Sequence, residues 1–583
     1  MQGLLKNLIS KRASFHKDVL LFQIDAKIGV TEVYSPALLQ CSTALRGAGV
    51  SVEYVKYSAF GRYYPDERAG IIRAYSPFLC LFAADLMNLP KVLRESGEIK
   101  SRLPHICVGV VADFALAERI SADPRVDLAF SGDVDCFLPG FVDEIRRGGR
   151  ASFRERHVHA EAKEGFAFPP LDFSFVSVCG VTPLLSSRGG DSVGAPSRSG
   201  TARAVLYPAE KLEAEIGSIA GRAVHVPIRD PLFISDADRL ERICSFLSKM
   251  DPRPAFSCVC DPCALSERLD FLPMLKGAGF KVVSLQVFTA DPEAGGFYGI
   301  DVADRLAKTE SVVRAASELG GLVVRAEFTA GSPFDSWSSF SMAADFCGRM
   351  SEIFPSFFEA GMDFFRPEPG SPAEGLVRPK DGSCSGRMLF TDDPDFLGSN
   401  DMSRPLFEVA EMTEDNLLTA RDAFFKRMEH ISLRQARTLP FDVFRFHRDL
   451  FVRHGVVTSF FRTAVAPFKL ISDYCALDAR PMFCRISEVS PEEIPELVPV
   501  RVVHEGRYVP GDGKCEISGY YDDVVLEGDD VEVYEFSAGK LKIRDIAKRI
   551  ALGRGIDAED AIENIIVPFY ERMEKIFHVI FFR

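Results

Sequence analysis

The feature that most limits the fold of this chain is a repeated alternation of short apolar runs with helix-like segments, which continues to about residue 375. Residues 18–23 have the pattern of a buried strand, and residues 36–49 after them have the spacing of a helix. Parallel strands need a crossover between them, usually a helix, so this order predicts α/β domains with parallel sheets. The ligand site of such a sheet is expected at the carboxyl ends of its strands.

The alternation falls into two blocks with different predicted architectures. Residues 18–150 predict a doubly wound, Rossmann-like sheet. Residues 176–375 contain six strand-helix units, which fit a partial (β/α)6 barrel of the TIM type. The six barrel strands are predicted at 176–182, 223–227, 255–260, 282–288, 323–329 and 363–367.

The rest of the chain changes character twice. A helical, Phe-rich region includes a helix predicted over 413–434, with an apolar face formed by Leu417, Leu418, Ala420, Phe424, Phe425 and Met428. The last hundred residues predict strands at 500–503, 515–520 and 531–536, helices at 543–550 and 558–576, and a final strand at 578–582. This order predicts a C-terminal winged helix. The predicted domains are 1–150, a linker 151–175, the barrel 176–400, the helical region 401–484 and the winged helix 485–583.

Charge and hydropathy exclude some classes of function. The net charge of −14 and pI near 5.4 disfavour a surface that follows nucleic-acid phosphates. Acidic residues in the second C-terminal helix, such as Glu559 and Asp560, disfavour DNA binding there. No apolar run is long enough for a transmembrane segment, and residues 1–17 lack the apolar core of a signal peptide, so a cytoplasmic location is expected.

The fourteen cysteines are scattered and indicate reduced thiols rather than a disulfide framework. Cys258, Cys260 and Cys263 are the exception, because three thiols within six residues are candidate metal ligands. The alternative is that Cys258 and Cys260, two apart in a predicted strand, are packed as small apolar residues.

Several motifs resemble the cobalamin-binding radical S-adenosylmethionine (SAM) family. In the barrel they are Ser187-Arg188-Gly189, Arg229-Asp-Pro-Leu-Phe, Leu275-Lys-Gly-Ala-Gly-Phe, Gly331-Ser-Pro and Pro369-Gly-Ser-Pro, in the family's order and spacing. In the first block they are Tyr34-Ser-Pro-Ala-Leu, Leu45 to Val52, Pro104 to Gly109 and Gly132-Asp-Val-Asp. The resemblance implies a cobalamin-type domain followed by a radical-SAM-type barrel.

The residues that would hold the iron–sulfur cluster of this family are not kept. The family's Cys-x3-Cys-x2-Cys positions fall on Gly190, Gly194 and Ser197, which offer no thiolate, so we predict that the cluster is absent. Near SAM the family usually has Gly-Ile-Glu-Ser, whereas this chain has Gln286-Val-Phe-Thr, with Phe288 in the place of the acid. An apolar ring accepts no hydrogen bond, which disfavours SAM binding.

Cobalamin binding is left open by the sequence. The resemblance implies cofactor contacts at Ala83, Gly109, Val110, Gly132 and Asp133. Ala83 replaces the family's usual serine and Val110 its second glycine, so the pocket for the cofactor's nucleotide tail loses a hydroxyl and gains bulk. A domain that still binds cobalamin and one that binds nothing are both compatible with these residues.

The C-terminal stretch from Val533 to Ala547 resembles a RiPP recognition element, a small domain of the pathways that modify ribosomally made peptides. Such domains take a leader peptide as an added strand beside their third helix. The resemblance implies peptide contacts at Val533, Tyr534, Phe536 and Ile543. A purely structural cap is the alternative.

The sequence therefore predicts a radical-SAM-like protein without a cluster, which acts as a non-radical binding or scaffold component in peptide maturation. Its expected partners are a leader peptide or a modifying enzyme. The first alternative is a cobalamin-dependent methyltransferase or another non-radical enzyme, with Asp230, Glu327 and Glu368 as candidate catalytic acids that are equally compatible with structural roles. The second alternative is a radical SAM enzyme whose cluster is rebuilt on Cys258, Cys260 and Cys263.

Overall fold

The computed structural model divides the chain into two compact units, residues 1–343 with 361–424 and residues 344–360 with 425–583. None of the helices in the ranges below is both long and apolar enough to cross a membrane. The structure describes residues 16–24, 34–56, 65–85, 88–148, 156–161, 168–174, 180–188, 205–355, 357–365, 386–388, 405, 407–409, 412–436, 446–447, 449–450, 453–454, 456, 458, 483–484, 486–501, 506–509, 514–518, 523–537, 541–575 and 579–582.

The first block forms a six-stranded parallel sheet with strand order β2-β1-β3-β4-β5-β6. Its order places helices on both faces, as predicted for a doubly wound sheet. The elements are β1 Val19–Gln23, α1 Pro36–Gly47, β2 Val52–Lys56, α2 Pro65–Tyr75, β3 Leu79–Ala83, α3 Leu89–Arg102, β4 Cys107–Val111, α4 Phe114–Ser121, β5 Leu128–Gly132, α5 Val134–Gly148 and β6 His157–Ala160.

Both faces of this sheet are buried, which explains why its strands read as continuous apolar runs. In β3, Leu79 and Leu81 belong to one apolar core, and Cys80 and Phe82 belong to the other. Successive side chains of a strand point to opposite faces, so each strand contributes to both cores.

The second block forms another six-stranded sheet, with strand order β14-β13-β12-β11-β10-β7. The pairs from β7 to β13 are parallel, which confirms the predicted barrel-type α/β architecture. The elements are β7 Gly180–Val181, the short pair β8 Ser187–Arg188 and β9 Val205–Leu206, α6 Ala209–Ile219, β10 Ala223–Ile228, α7 Ala237–Ser248, β11 Ala255–Cys260, α8 Pro262–Ser266, α9 Phe271–Gly277, β12 Phe280–Phe288, α10 Pro292–Tyr298, α11 Val302–Leu319, β13 Val323–Ala330, α12 Trp337–Ile353 and β14 Phe358–Phe364.

The predicted sixth strand was misplaced. It begins at Phe358 rather than Asp363, because the buried run of β14 starts directly after α12 and its turn. The structure continues with β15 Gly386–Met388, β16 Phe407–Val409 and α13 Glu414–Ala436. The predicted apolar face of α13 is largely confirmed, since Leu417, Ala420 and Phe424 are buried.

The C-terminal region contains two three-stranded antiparallel sheets, β17-β22-β18 and β19-β20-β21, each paired within itself. Its helices share one apolar core with β20 and β21. The elements are β17 Phe483–Cys484, β18 Val498–Arg501, β19 Gly506–Val509, β20 Lys514–Ser518, β21 Asp523–Glu527, α14 Asp529–Phe536, α15 Ile543–Arg554, α16 Ala558–Ala561, a π-helical turn Ile562–Ile566, α17 Val567–Lys575 and β22 Val579–Phe582.

The prediction of a strand over residues 531–536 was wrong, because these residues lie in helix α14. The alternation of Val531, Val533 and other apolar residues with acids imitates a strand. Gly528 turns the chain with a positive φ of 59°, and acidic residues then occupy the first helical turn, where the helix dipole favours them. Packing against the apolar core decides the helix over the strand.

Candidate functional site

The carboxyl edge of the first sheet meets the barrel segment at a polar interface, which we call the seam. At its centre the Arg188 guanidinium donates hydrogen bonds to Asp133, at 2.9 Å, and to Asp135, at 2.7 Å. The Phe168 ring lies against the same guanidinium, 4.8 Å from ring centre to Cζ. Burial alone lowers the pKa of Arg188, but the hydrogen bond to Asp135 and the nearby negative charges outweigh it and raise the pKa overall. Asp133, which lies in the turn expected to contact a cofactor, is thus paired with Arg188.

Neutral hydrogen bonds close the seam on both sides of Arg188. The Tyr34 hydroxyl donates to the Pro183 carbonyl, and the Gln40 amide donates to the Tyr207 hydroxyl at 2.9 Å. The pKa of Tyr207 is raised to about 12, and burial is the largest cause of the rise. The phenol therefore stays neutral at pH 7. These contacts join α1 of the first sheet directly to the barrel segment.

A buried ion pair supports the seam from the barrel side. Lys211 and Glu215, on one face of α6, contact each other and are both nearly inaccessible to solvent. Glu215 also accepts a hydrogen bond from the Leu171 backbone amide at 2.9 Å, which ties residues 168–174 to the helix. Burial raises the pKa of Glu215 and lowers that of Lys211.

The described residues of the seam leave one crevice of about 200 Å³, including space open to solvent, and this crevice is too small for a corrin ring. It is lined by Gln40, Thr43, Asp135, Phe168, Pro169, Leu171, Tyr207 and Lys211.

The other residues expected to contact cobalamin have structural roles in the first sheet. Gly109 lies in the middle of β4, where a Cβ would come within 2.9 Å of the Phe130 ring and 3.0 Å of Leu81. Val110 is fully buried beside it. Ala83 ends β3, and its carbonyl accepts a hydrogen bond from the Asn88 amide at 3.1 Å. Gly109 is therefore constrained by the packing of the sheet.

Asp230, the first candidate acid, is a buried structural residue. One carboxylate oxygen accepts a hydrogen bond from the Ser186 hydroxyl, and the other accepts from the Leu232 amide at 2.9 Å. Arg239 donates to the Ser186 carbonyl at 2.5 Å and to the Tyr207 carbonyl at 2.7 Å. The group fixes the loop after β10 and the start of the segment that resembles a cluster loop.

Phe288 covers the carboxyl end of β12. It has a positive φ of 69°, follows an irregularity in the pairing of β12 with β13, and stacks on Tyr298 with ring centres 5.1 Å apart. Beneath it, Arg305 is paired with Asp261 at 2.6 Å. The place expected for a SAM-binding acid is thus filled by an apolar ring, and these residues do not fit SAM.

A buried acid lies in the loop after β13. Asp335 accepts hydrogen bonds from the Gly331 and Ser332 amides, at 2.6 and 2.8 Å. Burial raises the pKa of Asp335 to about 6, against the lowering effect of these bonds, and Asp291 adds to the rise.

Glu327, the second candidate acid, faces the inside of the barrel. The Ser284 hydroxyl on β12 donates a hydrogen bond to Glu327 Oε1 at 3.4 Å. On the neighbouring strands β10 and β11, His225 Nε2 lies 2.9 Å from the Ser257 hydroxyl. A Cβ at Gly361 would overlap the Glu327 carboxylate. These five residues, which we call the lumen layer, come one each from β10 to β14.

The three candidate metal-binding cysteines do not assemble. Cys258 and Cys260 are buried with their sulfur atoms 3.7 Å apart, whereas Cys263 lies on α8 with its sulfur atom 3.8 Å from Arg305. The hydrogen bond with Cys260 is the largest cause that raises the pKa of Cys258, and burial is the second. The raised pKa opposes thiolate formation. Over the part of the chain described above, no three His, Cys, Asp or Glu side chains are placed to hold a metal ion.

The four residues expected to contact a peptide belong to the C-terminal core. Val533, Tyr534 and Ile543 are almost fully buried, and Phe536 packs against the same core. Val533, Tyr534 and Ile543 are therefore too deeply buried to line a peptide site directly. The cluster positions Gly190, Gly194 and Ser197 and the third candidate acid, Glu368, lie outside the described residues.

The lumen layer and the role of Arg188 were missed by the sequence analysis. A signal for the layer exists, because each strand from β10 to β13 carries at least one polar residue among its apolar ones. For the pairing of Arg188 with Asp133 and Asp135 there is no local signal, because more than fifty positions separate them.

No family model and no curated protein matches this sequence. The structure is similar to OxsB, a cobalamin-dependent SAM radical enzyme solved with aqua-cobalamin and SAM, with a TM-score of 0.54 and 12% identity over 79% of this chain and 75% of OxsB. It is also similar to the radical SAM methyltransferase TsrM from Kitasatospora setae, solved with tryptophan and a SAM analogue, with a TM-score of 0.50 and 14% identity over 71% of this chain and 89% of TsrM. The chain thus has the fold of the cobalamin-dependent radical SAM enzymes.

Proposed function

We propose that this protein uses the fold of cobalamin-dependent radical SAM enzymes without radical chemistry, as a binding or scaffold component in the maturation of a ribosomally made peptide. The observation that carries the proposal is the absence of sulfur donors at Gly190, Gly194 and Ser197. Iron–sulfur clusters are held by thiolates, and a SAM radical needs the cluster as its electron source.

The geometry of two further places supports the loss of radical chemistry. Phe288 places an apolar ring at the end of β12, and Arg188 is held by Asp133 and Asp135 at the edge of the first sheet. At the first place the ring offers SAM no hydrogen-bond acceptor, and at the second the guanidinium is already paired within the chain. The cobalamin-dependent methyltransferase, the alternative from sequence, therefore draws no support from them.

The C-terminal sheet supports the peptide role. Within the described strands β21 pairs only with β20, so its other edge has backbone groups that an extended peptide can pair with. Val525 in β21 is an exposed apolar residue, with 54% of its surface accessible. A peptide strand added there needs no contact with the buried Val533 or Ile543.

Anaerobic reconstitution with iron and sulfide tests the loss of the cluster. We expect no charge-transfer absorption and no 5′-deoxyadenosine from SAM. The triple variant Gly190→Cys, Gly194→Cys and Ser197→Cys is the matched control, because it restores the donors without altering the rest of the chain. About four irons per wild-type chain together with 5′-deoxyadenosine would contradict the proposal.

Two binding measurements test the remaining parts. A precursor peptide encoded beside the gene is expected to bind the full chain and to lose binding when residues 485–583 are removed; equal binding to both would exclude the C-terminal region. Titration with hydroxocobalamin is expected to show no binding, and saturable binding would revive the methyltransferase alternative.

A further inference from the structure

Three cationic side chains lie at the amino edge of the barrel sheet without an acidic partner, and we call them the basic rim. They are Arg253, just before β11, Lys276, near the end of α9, and Lys281, at the start of β12. Among the residues that the structure describes, none of the three forms an ion pair. The chain has a net charge of −14, so a group of cations without acids is unusual in it.

Lys281 occupies an irregular position in β12. The pairing of β11 with β12 passes from Phe256 with Phe280 to Ser257 with Val282, so Lys281 is an extra residue on β12, as in a β-bulge. Bulges turn a side chain out of the regular alternation, and they are frequent at the rims of barrels and beside functional sites. The side chain of Lys281 is half-buried at this point.

The ammonium group of Lys281 is close enough to the other two cations to be repelled by them. Burial is the largest cause that lowers the pKa of Lys281, and the charges of Arg253 and Lys276 lower it further. No carboxylate in the described part of the chain counteracts them. Charges that are taken out of water are normally paired, because their desolvation is costly. An anion bound at the rim supplies the missing compensation.

The ends of two helices fix the other two cations, which are exposed. Arg253 donates a hydrogen bond to the Gly277 carbonyl at the end of α9, at 2.8 Å, and Lys276 Nζ donates to the Leu319 carbonyl at the end of α11, at 2.9 Å. Helix carbonyls carry only partial negative charge, so these bonds hold the side chains in place without neutralising them. Both groups have further N–H donors for a ligand.

Two glycines allow the side chains of Arg253 and Lys276 to lie against the backbone. A Cβ at Gly279, which has a positive φ of 98°, would come within 3.0 Å of Arg253 Nε. A Cβ at Gly321 would come within 3.3 Å of Lys276 Cε. Side chains that are already fixed lose less conformational entropy when a ligand binds, which favours the binding of an anion here.

The arrangement favours a phosphate-type oxyanion over a carboxylate. The cations come from three separate segments, and each lysine acts as a point charge rather than as a planar fork. A phosphate monoester has about two negative charges at pH 7 and three acceptor oxygens, so it can meet several separate donors at once. A carboxylate has a single charge and leaves most of the positive charge uncompensated.

We propose that the basic rim binds a phosphate-type oxyanion, with Arg253, Lys276 and Lys281 as its charged partners. The active sites of TIM-type barrels lie at the opposite, carboxyl edge, so the rim is a binding site apart from the place expected for chemistry. It goes beyond the proposed function, because it concerns a small anion and neither an iron–sulfur cluster nor a leader peptide.

Calorimetric titration of the full chain with sodium phosphate and with sodium pyrophosphate, at constant ionic strength, tests this proposal. Saturable binding is expected for both anions and not for acetate. Lys281→Met should weaken binding about tenfold or more, because it removes the ammonium group and keeps an unbranched side chain. Lys281→Arg keeps the charge and should retain part of the affinity.

Lys308→Met is the matched control, because it removes a lysine that is paired with Asp304 on α11 and should leave the affinity unchanged. Thermal unfolding separates a lost site from a lost fold. Without anion, Lys281→Met should be at least as stable as the wild type, because it removes a half-buried charge beside two like charges. Pyrophosphate should raise the Tm of the wild type and not that of Lys281→Met.

The proposal is overturned if neither phosphate nor pyrophosphate binds the wild type up to about 10 mM, a limit of very weak affinity. Equal binding by acetate, or equal weakening by Lys308→Met, overturns it as well. A clear loss of stability in Lys281→Met without anion does the same, because the ammonium group then has a structural partner. None of these outcomes bears on iron content or on leader binding, so the proposed function stands or fails separately.

Discussion

The seam lies at the carboxyl edge of the first sheet and the lumen layer lies midway along the barrel strands, and the two places use their polar groups differently. In the seam, Arg188 is held by two carboxylates and the enclosed space is small. In the lumen layer, Glu327 lies 3.4 Å from the Ser284 hydroxyl and 4.0 Å from Arg325, and its side chain is 32% exposed. Buried, paired charges hold the chain together, whereas a half-exposed carboxylate contributes less to the stability of the fold.

This contrast has a thermodynamic consequence that can be measured. Seam substitutions should change the stability of the fold, because they leave buried charges without partners. Substitutions of the half-buried polar residues in the lumen layer should leave stability nearly untouched.

The largest effect is expected for Arg188→Ala. The substitution leaves Asp135, whose side chain is 5% exposed, beside the like charge of Asp133. We expect a loss of about 3 kcal/mol in the local free energy of opening, measured by hydrogen exchange of the β5 and β8 amides. Arg242→Ala is the control, because its pairs with Glu210 and Glu213 are on the surface and should have no measurable effect. Unchanged exchange in the Arg188 variant would remove the distinction between seam and lumen.

Asp335→Asn should change how stability depends on pH. Burial raises the pKa of Asp335 to about 6 in the folded protein, whereas an aspartate in the unfolded chain has a pKa of about 3.9. Between about pH 4 and pH 6 the folded state therefore holds a proton that the unfolded state has lost. The stability due to the neutral acid is complete below pH 4 and is lost as the pH rises to 6. The amide stays neutral, so the variant should equal the wild type at pH 4 and exceed it by about 2 kcal/mol at pH 7.

Urea unfolding from pH 4 to pH 8 measures this difference. Asp304→Asn, at an exposed carboxylate, should follow the wild-type profile throughout. A pH-independent difference between Asp335→Asn and the wild type would mean that Asp335 is charged in the folded protein.

Gly109→Ala tests whether the first sheet is packed or prepared for a ligand. The new methyl group would meet Phe130 and Leu81, and overpacking of this kind should cost about 1.5 kcal/mol in thermal or urea unfolding. Gly70→Ala in α2 is the control, since no atom lies within 4 Å of the added methyl group and helix propensity should give a gain of about 0.5 to 1 kcal/mol. If Gly109→Ala were as stable as the wild type, the space beside β4 would be open.

The smallest effect is expected for Ser284→Ala in the lumen layer. Its hydroxyl makes one 3.4 Å hydrogen bond in a half-buried site, so the free energy of unfolding should change by less than about 0.5 kcal/mol. Ser186→Ala is the matched serine, because it removes a buried donor to Asp230 and should cost about 1 to 2 kcal/mol. Equal costs for the two serines would show that the lumen layer is part of the folding core.

Sequence reasoning predicted the parallel sheets because their signal is local: each strand and helix has its own periodicity. It located Glu327, Asp230, Asp133 and Arg188 as residues of interest but did not predict their partners. It also placed a strand over residues 531–536, because a short alternating segment is compatible with either strand or helix until its neighbours are known.

The amino-acid sequence by itself determined the α/β architecture and the absence of thiols at Gly190, Gly194 and Ser197. Only the tertiary structure decided that Arg188 meets Asp133 and Asp135, that His225 meets Ser257, and that Ser284 and Gly361 adjoin Glu327. The reason is that these contacts depend on strand order and on the stagger between tilted strands, which bring together residues far apart in the chain.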